Sequence, residues 1–216
     1  MKIVEQTIVF AGNQLQLNNQ RSIYWKEENA LIFSDVHSGK SAHFRKHGMA
    51  IPSYLHSTDF TNIQILIDYY SPIKIIIVGD LIHASNNKEV IELKKLTTVN
   101  NHITFILVKG NHDRFSDELF YNLGITVVTK KLQLKNITFV HEAEQENETH
   151  AISGHIHPGI LIPMLKKVKK KFPCFVVQSK QIILPAFSKF TGLDTTKFEK
   201  AIYYGFHDLG FFTIES

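Results

Sequence analysis

The feature that most constrains this chain is a rhythm of short apolar runs, each stopping on a carboxylate, an amide or an imidazole. Ala30-Leu31-Ile32-Phe33 runs into Asp35 and His37, Ile73 to Val78 into Gly79-Asp80, and Ile103 to Val108 into Gly110-Asn111-His112-Asp113. Apolar runs of this length read as strands covered on both faces. Between them the spacing turns helical. Phe60, Ile63, Ile67 and Tyr70 share one face, with Thr58 or Asp59 as cap and Ser71-Pro72 as stop. Val90, Leu93 and Leu96 line a shorter helix capped near Asn86 or Asn87. Consecutive βα units imply a mainly parallel sheet with helical crossovers, whose ligands gather beyond the carboxyl ends of the strands.

The flanks differ. Residues 2 to 26 read as short antiparallel strands with turns at Gly12-Asn13 and Asn18-Asn19-Gln20, and Trp25 as a core residue. After a helix near Ser116 to Leu123 come strands with few helices between them: Thr126 to Val128, Ile137 to Val140, Ala151 to Ser153, Phe175 to Val177, Ile182 to Leu184 and Ala201 to Tyr204. They predict a second mixed sheet packed face to face on the first. The expected architecture is α/β, a four-layer α/β/β/α sandwich of two mixed sheets flanked by helices. No Pro/Gly/Ser linker and no internal repeat divides the 216 residues, so a single domain over 1–216 is expected.

Composition narrows the class. Hydrophobic content of 44% with 20% charged residues excludes a disordered chain. A formal charge of +4 permits a polyanionic partner without requiring one. The one cysteine, Cys174, excludes an internal disulfide and fits a reducing compartment. Met1 to Gln6 lacks a leader pattern and no apolar run nears the ~20 residues that span a bilayer, so a cytoplasmic protein without membrane contact is expected.

The strand ends repeat one kind of chemistry. His141 follows Phe139-Val140, and Gly154-His155-Ile156-His157 follows Ser153. With Asp35, His37, Asp80 and Asn111 these make seven candidate ligands; Asp35 with His37, and His155 with His157, would share a face if the chain stays extended. Oxygen and imidazole donors without a thiolate suit Mn²⁺, Fe or Zn²⁺. So many donors exceed what one ion takes, and two divalent ions sharing a bridging carboxylate is the economical reading.

The ordered set Asp35-Val36-His37, Gly79-Asp80, Gly110-Asn111-His112-Asp113, His141 and Gly154-His155-Ile156-His157 resembles the calcineurin-like metallophosphoesterases. That resemblance implies that Asp35, His37, Asp80 and His157 hold one metal and Asp80, Asn111, His141 and His155 the other, with His112 facing the substrate phosphate. The segment Ser38 to Gly48, the His157-Pro158-Gly159 continuation, and Leu184 to Gly192 narrow it: they look like the ligase-associated DNA damage response endonuclease family, PdeM. Members of that family are thought to cut DNA with manganese alongside a DNA ligase and a helicase. One departure stands out. Many phosphatases of the superfamily read Gly-Asp-x-x-Asp where this chain has Gly79-Asp80-Leu81-Ile82-His83. Double-strand-break repair nucleases of the superfamily often carry histidine there, which leans towards diester cleavage and makes His83 a second candidate catalytic residue.

The resemblance therefore implies a dinuclear phosphodiesterase and DNA endonuclease, acting in repair and best on single strands. Its ions, ~3.5–4 Å apart, would hold a bridging hydroxide that attacks phosphorus. His112 would protonate the leaving oxygen or stabilise its charge, with His83 pairing or substituting. Lys40, Arg45 and Lys46, in the long loop after His37, are candidate substrate contacts; Lys166 to Lys171 form a second basic run, read as lying between strands. Phe44, Phe187 and Phe190 could stack on bases or simply pack. The alternatives are hydrolysis of a small nucleotide substrate and an inactive scaffold of the same fold.

Overall fold

In the computed structural model of the chain, residues 2–38, 57–83, 88–143, 149–164, 168–189 and 191–216 are described. The first sheet begins with a meander. β1 (Glu5–Phe10), β2 (Asn13–Asn18) and β3 (Ser22–Trp25) are antiparallel, and β3 pairs antiparallel with β4 (Ala30–Phe33). From β4 the pairing becomes parallel through β5 (Lys74–Val78), β6 (Thr104–Val108) and β7 (Val127–Thr129). The helices α1 (Ser57–Tyr70), α2 (Lys88–Val99) and α3 (Asp117–Asn122) lie on the connections.

Register explains why these strands are apolar throughout. Alternation sends Leu31, Phe33, Ile75, Ile77, Phe105 and Leu107 under the helices, where they meet Ile63, Leu66, Leu93 and Phe120. It sends Ile32, Ile76, Val78 and Val108 to the opposite face, against the second sheet. That sheet contains β8 (Leu132–Leu134), β9 (Ile137–Phe139), β10 (His150–Ser153), β12 (Lys169–Val177), β13 (Gln181–Ile183), β14 (Ile202–His207) and β15 (Gly210–Glu215). Its order is β15-β14-β12-β13-β10-β9-β8, with β11 (Gly159–Pro163) hung from β12. It is mixed, because β10 runs parallel to both β9 and β13. Trp25 is wholly buried between the sheets, with Phe139 at 6.4 Å between ring centroids. Each such side chain contributes roughly 1.5–3 kcal/mol of burial free energy. Among the described residues no helix is long and apolar enough to cross a membrane.

Two details depart from the sequence reading. Thr126 to Val128 reads in sequence with the later, strand-rich part, yet β7 is the parallel neighbour of β6 in the first sheet. Lys169, Lys170 and Lys171 lie in β12 rather than between strands, because β11 supplies a partner that the basic run gave no hint of; Lys166 and Lys167 fall outside the described residues. Phe187 takes the packing role open to it in the sequence, buried against Phe33 at 4.8 Å, while Phe44 and Phe190 fall outside the described residues.

Candidate metal centre

The loops after β4 and β5 are laced side by side. The Asp35 N–H donates to the Gly79 carbonyl at 3.0 Å, His37 to Asp80 at 2.8 Å and Ser38 to Leu81 at 2.9 Å. Holding the chain this way puts Asp35, His37 and Asp80 at φ of 56°, 48° and 53°, and across the cleft His155 and His157 at 71° and 55°. The left-handed region costs an L residue with a side chain roughly 1–2 kcal/mol. Five such residues therefore share one cleft. Glycines allow the close approach: a Cβ on Gly79 would stand 2.0 Å from His141 Nδ1, and one on Gly110 would stand 2.2 Å from Asp80 Oδ1.

Asp113 locks the third loop to the second. Its Oδ1 accepts the Leu81 and Ile82 N–H groups, both at 3.0 Å, and its Oδ2 accepts Gly110 N–H at 2.9 Å. Burial pushes its carboxyl up to about 6 despite those bonds. In sequence Asp113 stands in the Gly-Asn-His-Asp turn without a ligand or catalytic assignment, and its place closing that turn is the signal for the structural role it takes.

All seven candidate ligands meet here. Asp35, His37 and His157 form one group and Asp80, His141 and His155 a second, each with donor atoms within 4.8 Å of one another. In the first, His37 Nε2 lies 3.3 Å from His157 Nε2, and His157 Nε2 lies 3.1 Å from Asp35 Oδ1. In the second, His141 Nε2 lies 3.3 Å from His155 Nδ1, 3.4 Å from Asp80 Oδ2 and 3.1 Å from Asn111 Oδ1. The extended-chain expectation fails at all four residues it covered, since each has positive φ. Asp35 and His37 still converge, but His155 and His157 part, one to each group.

Both groups suit a cation. The Val78 carbonyl can only accept, so His141 Nδ1 donates to it at 3.0 Å, which leaves Nε2 aimed at oxygen and nitrogen lone pairs. Asp35 Oδ1 is buried and accepts no hydrogen bond among the described residues, though two imidazole nitrogens face it. Burial disfavours the His141 imidazolium, yet Asp80 and Asp35 outweigh it and push the ring up to about 9. Burial likewise opposes the Asp80 carboxylate, while His141, the His112 N–H and His37 together hold it at about 2. Convergent carboxylate, amide and imidazole donors are what a hard or borderline divalent ion takes.

His112 stands at the edge of this cluster. Its N–H donates to Asp80 Oδ1 at 2.9 Å, and its Nε2 lies 4.0 Å from Asp80 Oδ2 in a side chain 41% exposed. The His83 ring lies 4.9 Å from it, tilted by 43°. Lys40, Arg45 and Lys46 lie outside the described residues.

The calcineurin-like phosphoesterase family profile matches residues 29–144, a span that ends before His155 and His157. No curated protein matches the chain. Among solved structures, Pseudomonas putida nuclease MPE aligns with a TM-score of 0.79 and 26% identity, over 94% of this chain and 96% of that one. Yfce, a phosphoesterase from E. coli, aligns at 12% identity over 83% and 88% of the two chains, with a TM-score of 0.42. The protein of unknown function AQ665 from Aquifex aeolicus aligns at 16% identity over 59% and 78%, with a TM-score of 0.41.

Proposed function

The chain belongs to the calcineurin-like phosphoesterases, hydrolases of phosphoester bonds, and from that premise we propose that it is a two-metal phosphodiesterase that cuts DNA. The observation that carries this reading is one carboxylate oxygen. Asp80 Oδ2 lies 3.8 Å from His37 Nε2 and 3.4 Å from His141 Nε2, so it faces both groups at once. Asp80 is the bridge: Asp35, His37 and His157 complete one site, and Asn111, His141 and His155 the other. Both groups draw on both sheets, which supports one catalytic domain over residues 1–216.

Two divalent ions bound there would supply Lewis acidity, making water a nucleophile near neutral pH and neutralising phosphoryl charge. Manganese is the metal assigned, with iron and zinc also compatible with these donors. The protein's own part is positioning and proton traffic. Val78 and Asp113 fix the His141 ring and the Asn111 loop. His112, open to solvent beside Asp80, protonates or stabilises the departing oxygen, and His83 supports its ring.

A nucleic-acid substrate is supported by the likeness to the P. putida nuclease along nearly the whole chain, and DNA in particular by the PdeM resemblance. Preference for single strands, a role in repair, association with a ligase and a helicase, and strand contacts by Lys40, Arg45 and Lys46 belong to the same reading through the PdeM resemblance. A cytoplasmic site of action goes with it, in keeping with Cys174, which is buried and free.

The test is cleavage of circular single-stranded and duplex DNA with Mn²⁺, Mg²⁺, Zn²⁺ or chelator. Single-stranded circles should be opened with Mn²⁺ and spared with chelator. If both DNAs stay intact with every metal while p-nitrophenyl phosphate is hydrolysed, the enzyme acts on small substrates instead. Metal binding without turnover of anything would leave a scaffold.

A further inference from the structure

We infer that Lys130 and Lys131 form a subsite for a phosphate flanking the scissile one, so that a bound strand runs over the crossing between the two sheets. This rests on the nuclease reading above and extends it to residues that reading did not use.

A hollow of about 530 Å³ opens beside Asn111 and His141, and its charged lining is Lys109, Lys130, Lys131, Asp113 and Glu142. The Asp113 carboxyl is occupied by three backbone N–H groups. Lys109 is occupied too: its ammonium donates to the Phe115 carbonyl and to Asp117, both at 2.9 Å. Lys130 and Lys131 are exposed and carry no ion-pair partner among the described residues. They outnumber the exposed carboxylate of Glu142 at the rim.

Their placement is built rather than accidental. Lys130-Lys131 is the entire connection from β7, the edge of the first sheet, to β8, the edge of the second. Thr129 pins it: its hydroxyl donates to the Lys131 carbonyl at 2.8 Å, and its carbonyl accepts the Lys109 N–H at 2.7 Å. A two-residue crossing tied in this way fixes the backbone from which both lysines project beside the hollow.

The hollow on the other side decides the direction. About 330 Å³ in volume, it is lined by His155, Gln181, Phe198 and the same Glu142, with no lysine or arginine among the described residues. These two hollows, among those lined by described residues, thus differ in sign, and of the two it is the lysine side that suits a polyanion's next phosphate. Contacts to flanking phosphates set register without reading sequence. A small diester has no second phosphate for such a subsite.

The experiment compares wild type with Lys130→Gln/Lys131→Gln on a single-stranded oligonucleotide and on bis(p-nitrophenyl) phosphate, with Mn²⁺, across a salt series. Lys94→Gln/Lys95→Gln on α2 makes the same change in net charge outside the hollow. In the Lys130/Lys131 variant KM for the oligonucleotide should rise about tenfold at low salt. The slope of log(kcat/KM) against log[salt] should become shallower by about 1.4, the effect of two lost phosphate contacts on a single strand. Loss on the small diester should be several-fold smaller, and the Lys94/Lys95 variant should keep the wild-type slope. An unchanged slope, equal losses on both substrates, or an equal effect from the α2 variant overturns the subsite. Wild type that turns over the small diester but cuts no strand overturns the nuclease reading itself, a different and recognisable outcome.

Discussion

His112 differs from the other imidazoles of the cleft in its place. The His37 and His141 side chains are buried at 2% and 5% exposure, whereas His112 is 41% exposed with its backbone tied to Asp80. His155 is also open, at 35%, but converges on a donor group, while the His112 ring belongs to neither group and stands at the edge of both, where a substrate meets it. His112→Ala should therefore lower DNA cleavage about 10²–10⁴-fold with metal content intact. The loss should be much smaller on a p-nitrophenyl phosphodiester, whose leaving group scarcely needs a proton. Equal losses on both would assign His112 to phosphoryl charge instead, and full activity on DNA would remove it from the mechanism. At this scale residue types at strand ends were readable from sequence. The left-handed φ at Asp35, His37, Asp80, His155 and His157 was not, because local preference disfavours it and only the surrounding loops impose it.

The apolar strands β4, β5 and β6 and the amphipathic helices α1 and α2 were legible because their buried side chains repeat at the strand or helix period and meet near neighbours of the same kind. Strands β8, β11 and β15 were not: each depends on a partner strand for its identity, β11 being a Gly- and Pro-bounded run half exposed in the sheet and its partner, the first half of β12, a basic run. The same dependence governs how the sheets are joined. Glu28, after β3, takes Lys74 of β5 at 3.0 Å and Lys135, in the β8–β9 turn, at 2.8 Å, so one carboxylate ties the two sheets together. Hydrogen bonds from Lys135 and Lys74 hold its carboxyl below the usual glutamate value. A depressed pKa means stability present above the unfolded value and lost as pH falls through the folded one. Glu28→Gln should accordingly cost about 1 kcal/mol at pH 7, as networked surface pairs do, and close to nothing once pH lies below the depressed value. Denaturant unfolding at both pH values measures this. A deficit that persists undiminished in acid would mean Glu28 acts through packing.

On the scale of the whole molecule, the candidate centre is where the sheets meet. Asp35 and His37 come from the first sheet and His157 from the second; Asp80 comes from the first and His141 and His155 from the second. Ions held there would fasten the sandwich as well as serve catalysis, and a ligand that binds only the folded state adds about 2.7 kcal/mol at a hundredfold excess over Kd. The most direct test is a Mn²⁺ titration of metal-free protein, read by metal content and by thermal unfolding, on wild type and Asp80→Asn. Wild type should take up close to two ions per chain and gain stability as it does so. Asp80→Asn should weaken both ions together and lose most of that gain. A single ion per chain, or two ions held by Asp80→Asn at wild-type affinity, would contradict a centre bridged by Asp80.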